Sequence, residues 1–220
     1  MNSEKKIYLF DFDGTLVDSM PYFVGLMLRI LDENSIKYES DIVKIITPLG
    51  YAGTARYFQE LGIDATVEEL MGKMQEYANE AYTYKIGEKP GVIATLRMLK
   101  DSGASLNILT ASPHSALDPC LKRLGICDLF DNIWSSDDFG TTKSDPEIYK
   151  AAAERMGAGV SEVVFVDDNV NAVKTAKDAG MISYGIYDES SQDFVSQMKE
   201  VSDRYLMSFN ELLQTNSQGE

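Results

Sequence analysis

The chain has 220 residues, and its 35 Asp and Glu residues against 20 Lys and Arg residues give a formal net charge of -15. A surface this acidic repels phosphate backbones and anionic lipid headgroups, which excludes nucleic acid and membrane surfaces as partners. At 44% hydrophobic and 25% charged residues, the composition is that of a folded globular protein. A chain of this length is compatible with one domain or with a domain that carries a sizeable insertion, and the local sequence must decide between them.

The chain has only two cysteines and one histidine, which limits the kinds of disulfide and metal site that it can form. Cys120 and Cys127 are too far apart for a CxxC motif and too few for a disulfide framework, so we expect reduced thiols and a cytoplasmic protein. The apolar run before Asp11 is too short for a signal peptide, and no apolar window reaches the roughly 20 residues of a membrane span. His114 alone excludes a histidine-rich metal site.

Short apolar runs alternate with helical patterns along most of the chain. Such runs are typical of strands that are buried on both faces of a parallel sheet. They lie at residues 7–10, 106–109, around 133–134, at 163–166 and at 181–186, with a short edge strand near 205–207. Helices are predicted at 90–100, 113–124, 146–156 and 170–179, each ending close to a glycine, and a polar helix is expected past residue 190. The alternation predicts an α/β fold with a Rossmann-like, doubly wound parallel sheet.

One long stretch breaks this alternation, because residues 16–85 show helical patterns and no strand. Helices are predicted at 21–33, 41–46, 51–61 and 67–84. The last of them begins at Thr66 and Glu69, which have the spacing of a capping box. We therefore expect a catalytic core of residues 1–15 and 86–220 and an inserted all-α cap of residues 16–85. The end from about Thr215 is expected to be disordered.

Polar residues follow three of the predicted strands. In open α/β sheets, ligands bind outside the carboxyl ends of the strands. Those ends carry, in chain order, Asp11-Phe12-Asp13-Gly14-Thr15, Thr110-Ala111-Ser112 and Asp167-Asp168-Asn169. Like charges 4 Å apart repel by roughly 4 kcal/mol at an effective dielectric near 20, so converging carboxylates need a cation or a shared proton. All-oxygen donors with room for water favour Mg²⁺.

Four segments resemble the motifs of the haloacid dehalogenase superfamily, in its phosphatase form. They are Asp11-Phe12-Asp13-Gly14-Thr15-Leu16-Val17-Asp18-Ser19 for motif I, Thr110 for motif II, Lys143-Ser144-Asp145-Pro146 for motif III and Val166-Asp167-Asp168 for motif IV. The resemblance covers about residues 5–188 and includes a helical cap inserted after motif I. It implies Mg²⁺-dependent hydrolysis of a small phosphorylated metabolite, such as phosphoglycolate or a sugar phosphate. We expect the protein to be a monomer or a homodimer.

The resemblance also implies a mechanism. Asp11 would attack phosphorus and form an aspartyl phosphate, and Asp13 would protonate the leaving oxygen and then deprotonate the attacking water. Mg²⁺ would be held by the Asp11 carboxylate, the Asp13 main-chain carbonyl and Asp168. Asp167 would act from behind these ligands or through water.

A phosphate pocket is implied at Gly14, Thr110, Ala111 and Lys143. Glycine lets the backbone approach the phosphoryl group, and the lysine ammonium neutralises both phosphate and nucleophile. Arg56, in the expected cap, is a further candidate that would bind a second anionic group of the substrate, although an ordinary surface arginine is the more common situation.

Other interpretations remain open. A β-phosphoglucomutase-like phosphomutase would carry a histidine where this chain has Phe23, and a binding or regulatory module would not need every chemical residue. Relatives often carry a carboxylate where this chain has Ala172. Ser112 either lines the phosphate pocket or caps the following helix, and His114 is expected at the surface or at a helix start rather than in catalysis.

Overall fold

The computed structural model describes residues 6–39, 41–46 and 49–214. By its internal contacts the chain divides into two compact units. The core unit comprises Met1–Asp18 and Gly87–Glu220, and the helical unit comprises Ser19–Ile86. The disorder expected from Thr215 onwards falls outside the described residues. Among the helices of the described chain, none combines the length and the apolar character that crossing a bilayer requires.

The core unit is built on a six-stranded sheet in which every neighbouring pair is parallel. The strands are β1 (Ile7–Phe10), β2 (Ser105–Thr110), β3 (Asn132–Ser135), β4 (Val163–Asp167), β5 (Ile182–Ile186) and β6 (Arg204–Leu206). Their order is β3-β2-β1-β4-β5-β6. The chain therefore adds β2 and β3 on one side of β1, and then β4, β5 and β6 on the other side. The connections reverse direction between β1 and β4, and this switch point is where doubly wound sheets bind ligands.

Helices connect the strands of the core unit, as the alternating pattern predicts. They are α5 (Val92–Asp101), α6 (His114–Leu124), α7 (Glu147–Arg155), α8 (Val170–Ala179) and α9 (Val195–Val201), following the four helices of the helical unit. The predicted α/β class with a parallel sheet is confirmed. The helices predicted at 113–124 and 146–156 begin one residue later in the structure than predicted, because Pro113 and Pro146 occupy the N-cap positions. Pro113 has an extended backbone, so it precedes the helix instead of opening it.

Apolar side chains of the central strands form the core of this unit. Leu9 and Phe165 are fully buried, together with Tyr149 of α7. The rings of Tyr149 and Phe165 meet edge-on with their centroids 5.0 Å apart. Burial of an apolar side chain of this size contributes about 1.5–3 kcal/mol. The packing fixes α7 against β4, which matters because the loop before α7 carries Lys143.

The helical unit contains α1 (Met20–Glu33), α2 (Ile42–Ile46), α3 (Gly50–Glu60) and α4 (Val67–Tyr84). The predicted capping box is present at the start of α4: Thr66 Oγ1 accepts from the Glu69 N–H at 3.2 Å, and the Glu69 carboxylate accepts from the Thr66 N–H at 2.7 Å. On α1 the Arg29 guanidinium lies 3.7 Å from the centre of the Tyr77 ring of α4. This contact and the buried faces of α1 and α4 hold the two longest helices of the unit together.

Candidate active site

Three buried carboxylates meet at the switch point of the sheet. Asp11 directly follows β1, Asp167 ends β4, and Asp168 follows it. The Asp11 N–H donates to the Val166 carbonyl at 2.9 Å, which ties the loop after β1 to the end of β4. Each of the three acids offers an oxygen within 4.8 Å of the others. The arrangement is a buried, all-oxygen donor set.

Lys143 is the cation of this cluster. Its Nζ lies 2.5 Å from Asp11 Oδ1 and 2.8 Å from Asp167 Oδ2, and its side chain is only 14% exposed. The hydroxyl of Tyr149 donates to the Lys143 carbonyl at 2.9 Å and so anchors the loop to α7. Burial alone would lower the pKa of Lys143, but Asp11 and Asp167 raise it above its usual value. The ammonium therefore stays charged and holds two of the three acids.

One ammonium does not offset three carboxylates. Burial and the Asp167 carboxylate raise the pKa of Asp11 well above its usual range, although the Lys143 ammonium lowers it. Burial and Asp167 likewise raise the pKa of Asp168 to about 7. Full ionisation of the cluster is therefore unfavourable unless more positive charge is supplied. Hard carboxylate oxygens in this number fit a Mg²⁺ ion, which would supply that charge.

The two adjacent acids of motif IV have different partners. Asp167 Oδ1 accepts from the Asn169 N–H at 2.7 Å, and Oδ2 accepts from Lys143, so both of its oxygens are engaged. Asp168 Oδ1 accepts from Thr15 Oγ1 at 3.0 Å, and the Asp168 N–H donates to the same hydroxyl at 3.2 Å. These bonds leave Asp168 Oδ2 for a further ligand.

Asp13 contacts the loop that follows β2. Asp13 is half-buried, and its Oδ2 accepts from Ser112 Oγ at 2.5 Å. Thr110 Oγ1 accepts from the Ser112 N–H at 3.0 Å, and the Thr110 carbonyl accepts from Ser136 Oγ at 3.1 Å. The helix-cap interpretation of Ser112 is wrong, because Pro113 occupies the N-cap and the Ser112 hydroxyl turns to Asp13 instead.

Gly14 lies where a side chain would collide with Asp168. Its φ is +73°, and a Cβ built on it would stand 2.6–2.7 Å from the Asp168 carboxylate atoms. Only glycine combines this backbone with this approach.

Replacing Gly14 by alanine is expected to destabilise the protein and displace the Asp168 carboxylate. The matched control is Gly157→Ala: Gly157 has φ +69°, and a Cβ there would meet no atom within 4 Å. Both variants carry the cost of a left-handed backbone, about 1–2 kcal/mol. If Mg²⁺ binds at this cluster it raises the melting temperature, and only Gly14→Ala is expected to lose that rise. Thermal melts with and without Mg²⁺ measure both effects, and an equal Mg²⁺ response in the two variants would contradict the prediction.

Two polar residues near the site, Thr15 and Lys89, were missed by sequence reasoning. Thr15 bonds to Asp168, and its place within motif I was a usable signal. Lys89 donates to the Gly14 carbonyl and to Asp188, but nothing in the sequence around it marks it as other than a helix-start lysine. Its partners are 75 and 99 residues away along the chain.

The remaining predicted positions are placed as follows. Ala111 is exposed directly after β2, and Ala172 is buried on α8. His114 is the first residue of α6. Its two ring nitrogens each lie 2.9 Å from a carboxylate oxygen, one of Asp118 and one of Asp138, and these two acids lie at the surface of the core unit. Arg56 is exposed on α3 of the helical unit, and its binding role stays a prediction.

The fold and these residues define the class of the protein. The chain matches the model of the haloacid dehalogenase-like hydrolases over residues 5–180, so it belongs to this family. The resemblance drawn from the four motifs is thereby confirmed, and the chain is an enzyme.

Individual relatives lie in the phosphatase branch of the family. The chain is 31% identical over 179 residues to the pyrophosphatase PpaX of Bacillus velezensis, covering 81% of each chain. It is 29% identical over 190 residues to a phosphoglycolate phosphatase of Caulobacter vibrioides, covering 82% of this chain and 80% of that protein. A solved structure described as a predicted phosphoglycolate phosphatase from Haemophilus somnus has a TM-score of 0.82 at 21% identity and covers 97% of this chain and 98% of its own.

Proposed function

We propose that the chain is a Mg²⁺-dependent phosphatase that hydrolyses small phosphate monoesters through an aspartyl phosphate on Asp11. The observation that carries the proposal is the contact of Lys143 with both Asp11 and Asp167, next to Asp168 at the switch point. A buried carboxylate beside a fixed ammonium is suited to attack an anionic centre, because the ammonium offsets the charge that both reactants bring together.

The metal ligands proposed are the Asp11 carboxylate, the Asp13 main-chain carbonyl and Asp168. When bound, Mg²⁺ supplies positive charge for the carboxylates and for the phosphate oxygens. Asp167 is proposed to hold Lys143 and stay behind the ligands, because both of its oxygens already accept hydrogen bonds. The orientation of Asp168 by Thr15 supports its place as the carboxylate ligand of motif IV.

Two displacements at phosphorus complete the proposed reaction. An Asp11 oxygen forms a bond to phosphorus while the bond to the ester oxygen breaks, and the ester oxygen takes its proton from Asp13. Water then attacks the same phosphorus, gives its proton to Asp13 and releases Asp11 and phosphate. Ser112 donates to Asp13 at 2.5 Å, which holds the acid–base group on the side of the loop after β2.

The substrate is proposed to be a small metabolite such as phosphoglycolate or a sugar phosphate, in the cytoplasm, with the protein a monomer or a homodimer. The net charge of -15 confines attraction for an anion to the cation-bearing pocket, which favours a small ester over a polyanionic polymer. A mutase is disfavoured, because Phe23 packs edge-on against Tyr82, with ring centroids 6.0 Å apart, and has no group that transfers a proton.

Phosphate release from a panel of phosphate esters, with pyrophosphate as the one anhydride, tests this proposal. We expect hydrolysis of one or more among phosphoglycolate, hexose phosphates, p-nitrophenyl phosphate and pyrophosphate, lost on chelation and restored by Mg²⁺. Pyrophosphate is included because a relative is named for that activity. Conversion of glucose 1-phosphate to the 6-phosphate without phosphate release would support the mutase instead. No release from any ester with Mg²⁺ present would refute the proposed activity.

A further inference from the structure

A lysine outside the four motifs holds the loop that carries Asp13. We propose that Lys89 is a positioning residue, whose ammonium fixes the Gly14 peptide and thereby the acid–base group Asp13. The inference rests on the proposed function, and it adds a residue that none of the motifs contains.

Lys89 has all of its side-chain donors engaged. Its Nζ donates to the Gly14 carbonyl at 2.5 Å, to the Tyr187 carbonyl at 2.8 Å and to Asp188 Oδ2 at 2.8 Å. An ammonium has three N–H donors, so these three bonds saturate it. The Lys89 side chain is 15% exposed and that of Asp188 is 6% exposed. The contact is thus directed and largely buried, unlike exposed ion pairs such as Lys150–Glu147.

The backbone at Lys89 is fixed as well. The core unit resumes at Gly87, and its chain pairs there with the residues that follow Gly14. The Lys89 N–H donates to the Leu16 carbonyl, and the Asp18 N–H donates to the Gly87 carbonyl, each at 3.0 Å. The backbone from which the Lys89 side chain extends to Gly14 is therefore itself held by hydrogen bonds.

Gly14 depends on such outside contacts. Glycine resists backbone rotation less than other residues do, so hydrogen bonds must define its conformation. The Gly14 N–H donates to the Val17 carbonyl at 3.0 Å, and its carbonyl accepts from Lys89. Asp13 is the preceding residue, and a Cβ built on Gly14 would collide with the Asp168 carboxylate. Release of the Gly14 carbonyl is therefore expected to shift Asp13 relative to Asp168.

Charge compensation is the competing role for Lys89. The hydrogen bond from Lys89 lowers the pKa of Asp188 against the effect of burial, and Ser190 donates twice to Asp188 Oδ1, at 2.6 and 2.9 Å. Removing Lys89 alone would leave the Asp188 charge buried and unpaired. Removing both charges avoids that penalty but still frees the Gly14 carbonyl, so a double variant separates the two roles.

The experiment compares Lys89→Met with the double variant Lys89→Met/Asp188→Asn. Lys100→Met is the control, because Lys100 lies near the other end of α5 and pairs with Asp131 just before β3. We expect Lys89→Met to lower the melting temperature and the double variant to recover most of it. In both, kcat for an alkyl phosphate is expected to fall by about 10–100-fold with KM nearly unchanged. The fall is expected to be smaller for p-nitrophenyl phosphate, whose leaving group needs less help from Asp13.

A second measurement does not depend on activity. Amide hydrogen exchange of residues 12–18 in the metal-free protein is expected to be faster in both Lys89 variants and unchanged in Lys100→Met. Wild-type kcat in the double variant, or unchanged exchange of this segment, would overturn the positioning role. If the wild-type protein hydrolysed no ester with Mg²⁺, the proposed function would fail, while the exchange data would still decide whether Lys89 holds the loop.

Discussion

Asp11→Asn is expected to abolish phosphate release while leaving the protein folded and more stable without metal. The amide cannot form an acyl phosphate, and loss of a nucleophile in enzymes that work through a covalent intermediate costs at least about 10⁴-fold in kcat. Stability is expected to rise because the variant removes one of three mutually repelling buried carboxylates. Lys143 keeps a partner in Asp167, so no cation is left unpaired.

Three measurements check this expectation together. Phosphate release is measured with Mg²⁺, the melting temperature without it, and the intact mass after an acid quench with substrate. After the quench, the mass of the wild-type protein is expected to include one phosphoryl group and that of the variant none. Asp178→Asn, an exposed acid on α8, is the control for the same chemical change and is expected to match the wild type. A variant that still turns over would count against Asp11 as the nucleophile, and one that loses its fold would contradict the expected gain in metal-free stability.

Local pattern was sufficient to predict the sheet and much of the site. A strand buried on both faces needs a continuous apolar run, and β1 and β4 follow such runs closely. The order of the strands brings Asp11 and Asp168 together, because parallel strands present their carboxyl ends at one edge. Residues directly after these strands were therefore predictable as neighbours before their partners were known.

The remaining contacts of the site join distant parts of the chain, and no local pattern of the sequence encodes them. Thr15 and Asp168 are 153 residues apart, and Lys89 and Asp188 are 99 apart. Ser112 precedes a helix and so has the pattern of a cap, yet its hydroxyl meets Asp13, also 99 residues away. In each case tertiary packing decides the partner of a side chain whose sequence neighbours suggest an ordinary local role.

Lys143→Met is the second substitution expected to have a large effect, and it separates the charge of this side chain from its apolar stem. The methionine fills a similar volume but leaves Asp11 and Asp167 without their shared cation. Removal of one preorganised electrostatic group of this kind costs about 10²–10³-fold in kcat. Lys150→Met on α7, where Lys150 forms an exposed pair with Glu147, is the matched control and is expected to leave kcat unchanged.

The pH dependence gives Lys143→Met a sharper signature than the loss of rate. In the wild-type protein the pKa of Asp168 is raised from 3.8 to about 7, so without metal the folded state binds this proton more tightly than the unfolded state does. Metal-free stability is therefore expected to fall as the pH rises from about 4 to about 7. Mg²⁺ requires the ionised carboxylate, so its stabilising effect is expected to weaken as the pH falls below about 7.

Lys143 lowers the pKa of both Asp11 and Asp168, so its loss raises them further. The fall in metal-free stability is therefore expected to continue to higher pH, and the Mg²⁺ response to weaken already at higher pH, in Lys143→Met than in the wild type or in Lys150→Met. Melting temperatures across pH, with and without Mg²⁺, measure the displacement directly and need no substrate. A variant whose Mg²⁺ response followed the wild-type pH curve would show that Lys143 does not set the charge balance of the three acids, whatever its effect on turnover.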